Sequence, residues 1–151
     1  MDVTLLLFLI ISCALGLAIG SFLNVAIDRS LKGQSLRGRS RCESCGKTLG
    51  AKELIPIASY VFQKGRCRSC GAVLSLQYPL VEFGTAAGFF ISAWVFSPTL
   101  GAGLVAISFL FFCVFTGIAA AVVIFVADLK EKIIPNSPAL ILAVLGFVAV
   151  A

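Results

Sequence analysis

Six cysteines, seven carboxylates and no histidine bound the chemistry open to this 151-residue chain. Without His there is no Ser-His or Cys-His pair, and the commonest general base and catalytic zinc ligand are both missing. Hydrolysis would have to run on carboxylates, Lys or thiols. Four of the cysteines form two Cys-x-x-Cys pairs, Cys42/Cys45 and Cys67/Cys70, each followed by Gly and separated by 21 residues. Cysteines at that spacing can both point at one ion because the chain turns back between them. Two such knuckles complete a tetrahedral thiolate shell, which suits a structural Zn²⁺. The usual gap between knuckles is about 15 to 20 residues, so this loop is slightly long. An iron site, disulfides or a redox pair are the alternatives. Arg41, Lys47, Arg66 and Arg68 would offset the charge of a metal–thiolate centre, but they would equally depress thiol pKa values for redox chemistry, so charge does not separate these readings. Cys13 and Cys113 lie in apolar runs without a partner at ligand spacing and read as buried apolar residues.

The elements that must position these groups are membrane helices. Hydrophobic residues make up 60% of the chain against about 45–50% in ordinary soluble domains. Charged residues are only 13% and the mean hydropathy is +1.07, which together indicate an integral membrane protein. Val3 to Ile27 carries no charge and is long enough to span. A signal peptide is disfavoured by Asp2 and by the length of the run. Gly16, Gly20 and Ser21 offer a small-residue face for close helix packing, or are simply glycines and a serine of a membrane helix. Pro79 opens a second span over 80–96, with Glu82 expected in its first turn, where the helix dipole favours an anion, as a candidate functional group. Ser97 to Gly101 reads as an outside turn, and a third span follows over 103–127. A fourth apolar stretch begins at Pro138 and stops after 14 residues, short of the approximately 20 needed to cross, so the chain reads as a fragment or one half of something larger.

The expected fold is an all-α polytopic membrane protein. It has three full transmembrane helices, a truncated fourth, and a small zinc-stapled cytoplasmic loop domain between helices 1 and 2. The divisions are residues 1–27 for the first helix, 28–79 for the loop, and 80–151 for the remaining membrane-embedded part. Ten of the twelve Lys and Arg residues fall between Arg29 and Cys70, against only Glu43 and Glu53. That asymmetry puts the loop in the cytoplasm and the N-terminus outside, and it explains the net charge of +5 without nucleic acid. A reducing cytoplasm favours a metal over disulfides. The runs 55–57 and 59–62 are expected to pack around the zinc, which supplies much of the folding energy of so small a loop. No internal repeat or low-complexity segment stands out.

An ordered set of motifs runs through the chain. Gly20-Ser21-Phe22-Leu23-Asn24-Val25 is followed by the two cysteine pairs, with Ile55-Pro56, Ser59-Tyr60 and Gly65-Arg66-Cys67 between and beside them. Then come Ser75-Leu76-Gln77-Tyr78-Pro79-Leu80-Val81-Glu82 and, finally, Asp128-Leu129 with Ile134-Pro135-Asn136. In this order they resemble the bacterial type IV prepilin peptidases, which are bifunctional leader peptidases and N-methyltransferases of the intramembrane GxGD aspartic class. Asp28-Arg29 stands where the family commonly has Tyr-Arg, Gln77 replaces an Arg, and no Gly-x-Gly-Asp occurs anywhere.

The resemblance implies that Asp128 is the first catalytic aspartate and that prepilins or pseudopilins of type IV pilus and type II secretion systems are the substrates. It also implies cleavage at the cytoplasmic face of the inner membrane and methylation of the new amine by S-adenosylmethionine. An aspartic protease needs two carboxylates, one ionised as base and one protonated as acid. Asp28 is expected to pair with Arg29 and stay ionised, so it is not the second. The chain alone is therefore expected to be inactive, its partner half lying elsewhere. A non-catalytic zinc-stapled membrane scaffold and a membrane thiol-disulfide protein are the rival readings.

Overall fold

The computed structural model describes the backbone of residues 3–97 and 104–131, and within the second segment the side chains of 111–130. The fold is all-helical. α1 (Val3–Leu31) and α3 (Gln77–Phe96) flank a cysteine-bearing loop that contains one short helix, α2 (Ala58–Phe62). α4 (Leu104–Glu131) completes the described bundle. α1, α3 and the 111–130 part of α4 are each long and apolar enough to cross a membrane. Residues 98–101 of the turn expected over Ser97–Gly101, and the fourth stretch from Pro138, lie outside the described residues.

In hydrocarbon a spanning segment must satisfy its own backbone groups, and the helix does so. The hydroxyls within the spans follow the same rule. Ser12 donates to the Phe8 carbonyl, Thr85 to that of Val81, Ser92 to that of Gly88 and Thr116 to that of Phe112, all within 2.7–2.8 Å. α1 and α3 pack closest. A Cβ at Gly16 would sit 2.6 Å from the Ala86 Cα, and one at Gly20 would sit 2.7 Å from the Glu82 Cα. The small-residue face anticipated for α1 is therefore the seam on which α3 rests. α4 joins through Leu23, Ile27, Val81 and Val126 near the loop end, and through an aromatic cluster near the other end. There Phe89 stacks on Phe115 at 4.0 Å between ring centroids and Phe8 meets Phe111 edge-on at 5.0 Å.

α1 extends four residues beyond the expected end at Ile27, and its stop is legible. Gly33 at φ +62° receives the chain, with Gly33 N–H on the Ser30 carbonyl and Gln34 N–H on that of Arg29, a Schellman cap. The Arg29 guanidinium then donates to the carbonyls of Ser35, Leu36, Arg37, Gly38 and Arg39, winding 35–39 over the helix end. The anticipated Asp28–Arg29 pair does not form, because those carbonyls occupy Arg29.

Candidate metal centre and the carboxylates beside it

The cysteine loop is built from one nine-residue unit used twice. Arg41–Leu49 (RCESCGKTL) and Arg66–Leu74 (RCRSCGAVL) share Arg, Cys, Ser, Cys, Gly and Leu at matching places, 25 residues apart. This repeat corrects the expectation that none was present; it is short and diverges at three of nine positions, so it hides in a linear reading. The backbone repeats as well. Gly46 N–H meets the Cys42 carbonyl and Gly71 N–H that of Cys67, each at 2.9 Å, with both glycines near φ +70°. Cys42 N–H pairs with the Lys47 carbonyl and Cys67 N–H with that of Ala72. Isolated bridges Arg41–Thr48 and Arg66–Val73 close each hairpin. A left-handed turn after the second Cys folds each unit so that both thiols point the same way.

The four Sγ atoms converge within 4.8 Å of one another, and Cys42 and Cys70 lie 3.9 Å apart. Tetrahedral ligands at about 2.3 Å from Zn²⁺ stand about 3.8 Å from each other, so the donor set and its spacing fit zinc with little movement. Cys42 and Cys67 are buried, Cys45 and Cys70 exposed. The thiols are not equivalent. Backbone N–H groups of Cys70 and Ser69 pull the Cys67 thiol down to about 6. The Lys47 N–H favours the Cys45 thiolate, but desolvation and hydrogen bonds to Cys70 and Cys42 outweigh it and push that thiol up to about 11. A cation would replace the protons these crowded sulfurs share. Lys32, just past α1, pairs with Glu43 of the first knuckle, whose carboxylate raises the lysine's pKa.

The runs expected to wrap the metal behave otherwise. Tyr60 does pack inward, closing on Gly65 and donating to the Leu74 carbonyl at 3.4 Å. Ile55, Val61 and Phe62 are exposed. Their direction is set by Ile57, whose N–H is fixed at 2.6 Å on the Glu82 Oε2. Glu82 stands in the second turn of α3, since that helix begins at Gln77 and not at Pro79. It is only 7% exposed and lies beside the Ser21 side chain of α1. Asn24 works beside it, donating to the Tyr78 carbonyl at 3.0 Å and accepting from the Gln77 amide at 3.2 Å. The sequence places Asn24, Gln77 and Tyr78 inside motifs but gives none of them a task, and it reads Ser21 only as part of a packing face. The signal for Ser21 and Asn24 is polarity inside an otherwise apolar span.

Asp28 is held by the Tyr78 hydroxyl at 3.1 Å and by Lys130 Nζ at 2.6 Å, joining the ends of α1, α3 and α4. Asp128 is exposed near the end of α4 and makes no hydrogen bond or ion pair among the described residues. Residues two apart on a helix point about 200° from each other, so Lys130, drawn to Asp28, leaves Asp128 on another face. A cleft of ≈ 930 Å³ lies between α1, the start of α3 and the knuckles, with Asn24, Asp28, Cys42, Tyr78 and Glu82 on its walls.

A family model described as the bacterial peptidase A24 N-terminal domain matches residues 14–96. Among curated proteins, a prepilin leader peptidase/N-methyltransferase of Myxococcus xanthus is 48% identical over 85 residues, covering 56% of this chain and 25% of that protein. The Bacillus subtilis protein of that name is 37% identical over 122 residues, 80% of this chain and 46% of its own length. The Neisseria gonorrhoeae one is 30% identical over 166 residues, 91% and 54%. The chain thus spans about half or less of the length of these relatives. No solved structure matches it.

Proposed function

Because the chain belongs to the bacterial peptidase A24 N-terminal-domain family, we propose that it is the N-terminal part of a prepilin leader peptidase of the inner membrane. Its cysteine loop faces the cytoplasm in this reading. The substrate is a prepilin or pseudopilin with a short basic leader ahead of a hydrophobic helix. The observation that carries the reading is Asp128, an exposed carboxylate at the end of a membrane helix with no partner among the described residues. An ionisable group there is a functional candidate by position. Residues 28–79 serve as a support domain, and 80–151 begin the peptidase part.

Asp128 supplies one of two carboxylates. One member of such a pair, ionised, takes a proton from water; the other, protonated, donates to the scissile carbonyl. Asp28 is unsuited to be the second, being committed to Lys130 and Tyr78. Glu82 is buried and committed to the Ile57 N–H. The second acid therefore comes from a GxGD-type segment that this sequence does not contain. Cys42, Cys45, Cys67 and Cys70 would hold a Zn²⁺ whose closed thiolate shell would staple the loop and leave no open position for cleavage chemistry.

Methylation of the new amine by S-adenosylmethionine follows from the family's double role. The cleft has the size of a ligand pocket. Among the described residues, however, no buried side-chain polar atom lacks a partner, so nothing marks a place for the methyl donor.

Cells without their own prepilin peptidase provide the test, expressing this chain alone or together with a GxGD-bearing half of a full-length relative. Leader removal is expected only with both parts present, and Asp128→Asn abolishes it. Robust cleavage by the chain alone, or cleavage that survives Asp128→Asn, contradicts the proposal.

A further inference from the structure

The segment between the knuckles is apolar, exposed and set at an unusual depth. From Leu54 to Phe62 it carries no charge; Glu53, which accepts the Gly50 N–H, directly precedes it, and Lys52 and Lys64, both exposed, lie on either side. Ile55 is 51%, Val61 64% and Phe62 78% exposed, which is the wrong arrangement for a loop tip in water. The depth follows from Glu82. α3 has 20 residues and so runs about 30 Å, the thickness of the hydrocarbon layer. Glu82 lies five residues, or about 7.5 Å, inward from the first residue of that helix. Gly20 packs directly on it from α1, so both helices share this level. Ile57 is bonded to the Glu82 carboxylate, and α2 starts at the next residue.

Two further features suit a medium poor in water. Ile57 adopts φ +59° and ψ −52°, with Ala58 N–H reaching back to the Pro56 carbonyl at 2.5 Å. This is the rare γ-turn of a β-branched residue, strained and held only because Glu82 anchors it. Beyond it the backbone donors are used internally: Ser59 on Ile55, Val61 on Ile57, Gln63 on Ser59, Lys64 on Val61 and Gly65 on Tyr60. Unpaired donors are expensive at membrane depth, and these five are spent within the segment.

We propose that Leu54–Phe62 is an interfacial foot: its Ile55, Val61 and Phe62 side chains insert into the bilayer at the cytoplasmic face, while Lys52 and Lys64 reach the anionic headgroups. The insertion of about 5–10 Å typical of such segments agrees with the level of Glu82. The lysine pair adds attraction to anionic lipid. The inference depends on the membrane placement of α1 and α3 and is independent of the peptidase reading.

Trp94 is the one tryptophan of the chain, so Trp94→Phe gives a silent background. In it, Phe62→Trp and Val61→Trp report on the foot. Leu36→Trp reports on the turn wound over Arg29, farther out along α1. Each variant is reconstituted in phosphatidylcholine/phosphatidylglycerol vesicles and quenched with iodide, or with lipids brominated near the headgroup or deep in the chain. The two foot reporters should be quenched by shallow-brominated lipid at least ~2-fold more than Leu36→Trp and be ~3-fold less accessible to iodide, as an interfacial side chain requires. Iodide access equal to that of Leu36→Trp would place the foot in water and overturn the proposal. Protection from both iodide and lipid would mean a protein cover, such as a second copy or a substrate helix, and would overturn it too.

Discussion

Glu82 and Asp128 are the same kind of group in the same kind of place, a carboxylate near one end of a membrane helix, yet their surroundings differ. Glu82 is 7% exposed, receives the Ile57 N–H, and faces a glycine that lets α1 come within packing distance. Asp128 is exposed and has no partner among the described residues, and the nearby Lys130 is committed to Asp28. A carboxylate whose lone pairs are filled by fixed donors is a tether. One left free at a membrane boundary can accept from a water or, once protonated, donate to a substrate carbonyl. The region around Glu82 is therefore built to stay in place, and under the proposed function the end of α4 leaves one acid available.

The support side of this comparison can be broken in stages. Removing one thiol of the proposed zinc set by Cys42→Ser should do most damage, because zinc binding supplies much of the folding energy of a small thiolate domain. About one zinc per chain and four thiols protected from alkylation until a chelator is added are expected for the parent. The variant should lose both, with the membrane helices retained by circular dichroism. Gly20→Leu comes next. Its Cβ would fall 2.7 Å from a backbone atom that has no room to yield, so α1 and α3 must part. A loss of about 3 kcal/mol or more is expected in detergent unfolding.

Glu82→Ala leaves the Ile57 N–H without its acceptor and releases the strained turn. The expected cost is about 1–3 kcal/mol, read as faster amide exchange across residues 55–62. The smallest effect belongs to Asp28→Asn. Its pair with Lys130 is partly open to solvent, with side chains 14% and 38% exposed, so about 0.5–1 kcal/mol is expected. A few-fold faster exchange over 125–130 would register it, and an unchanged rate would show that Asp28 does not hold α4.

Much of this arrangement is legible in the sequence. Apolar runs without charge can only be spans, and the cysteine spacing pointed to one thiolate cluster, now seen with all four sulfurs within 4.8 Å. The seam at Gly16 and Gly20 was visible as small-residue spacing, though only the partner helix gives such spacing a meaning. What escaped was every long-range polar contact. Arg29 was assigned to its neighbour Asp28, whereas the Schellman turn at Gly33 brings five carbonyls to it. Asp28 instead meets Lys130, 102 residues away. Phe62 was expected against the cysteines because an apolar residue in a polar loop suggests a small core. One hydrogen bond to Glu82, 25 residues on, turns that segment outward. Such pairings depend on where helices end to within a turn, which composition does not define.

The division of labour between the two carboxylates is tested most directly by comparing Asp128→Asn and Glu82→Gln, each with the GxGD-bearing half present, for prepilin cleavage and for thiol protection. The account predicts that Asp128→Asn loses at least ~10³-fold in cleavage, on the scale of losing a catalytic acid or base, while all four thiols stay protected. Glu82→Gln should weaken protection and amide order in the loop while retaining measurable cleavage. Normal cleavage in Asp128→Asn, or abolished cleavage with an intact loop in Glu82→Gln, would reverse the two roles.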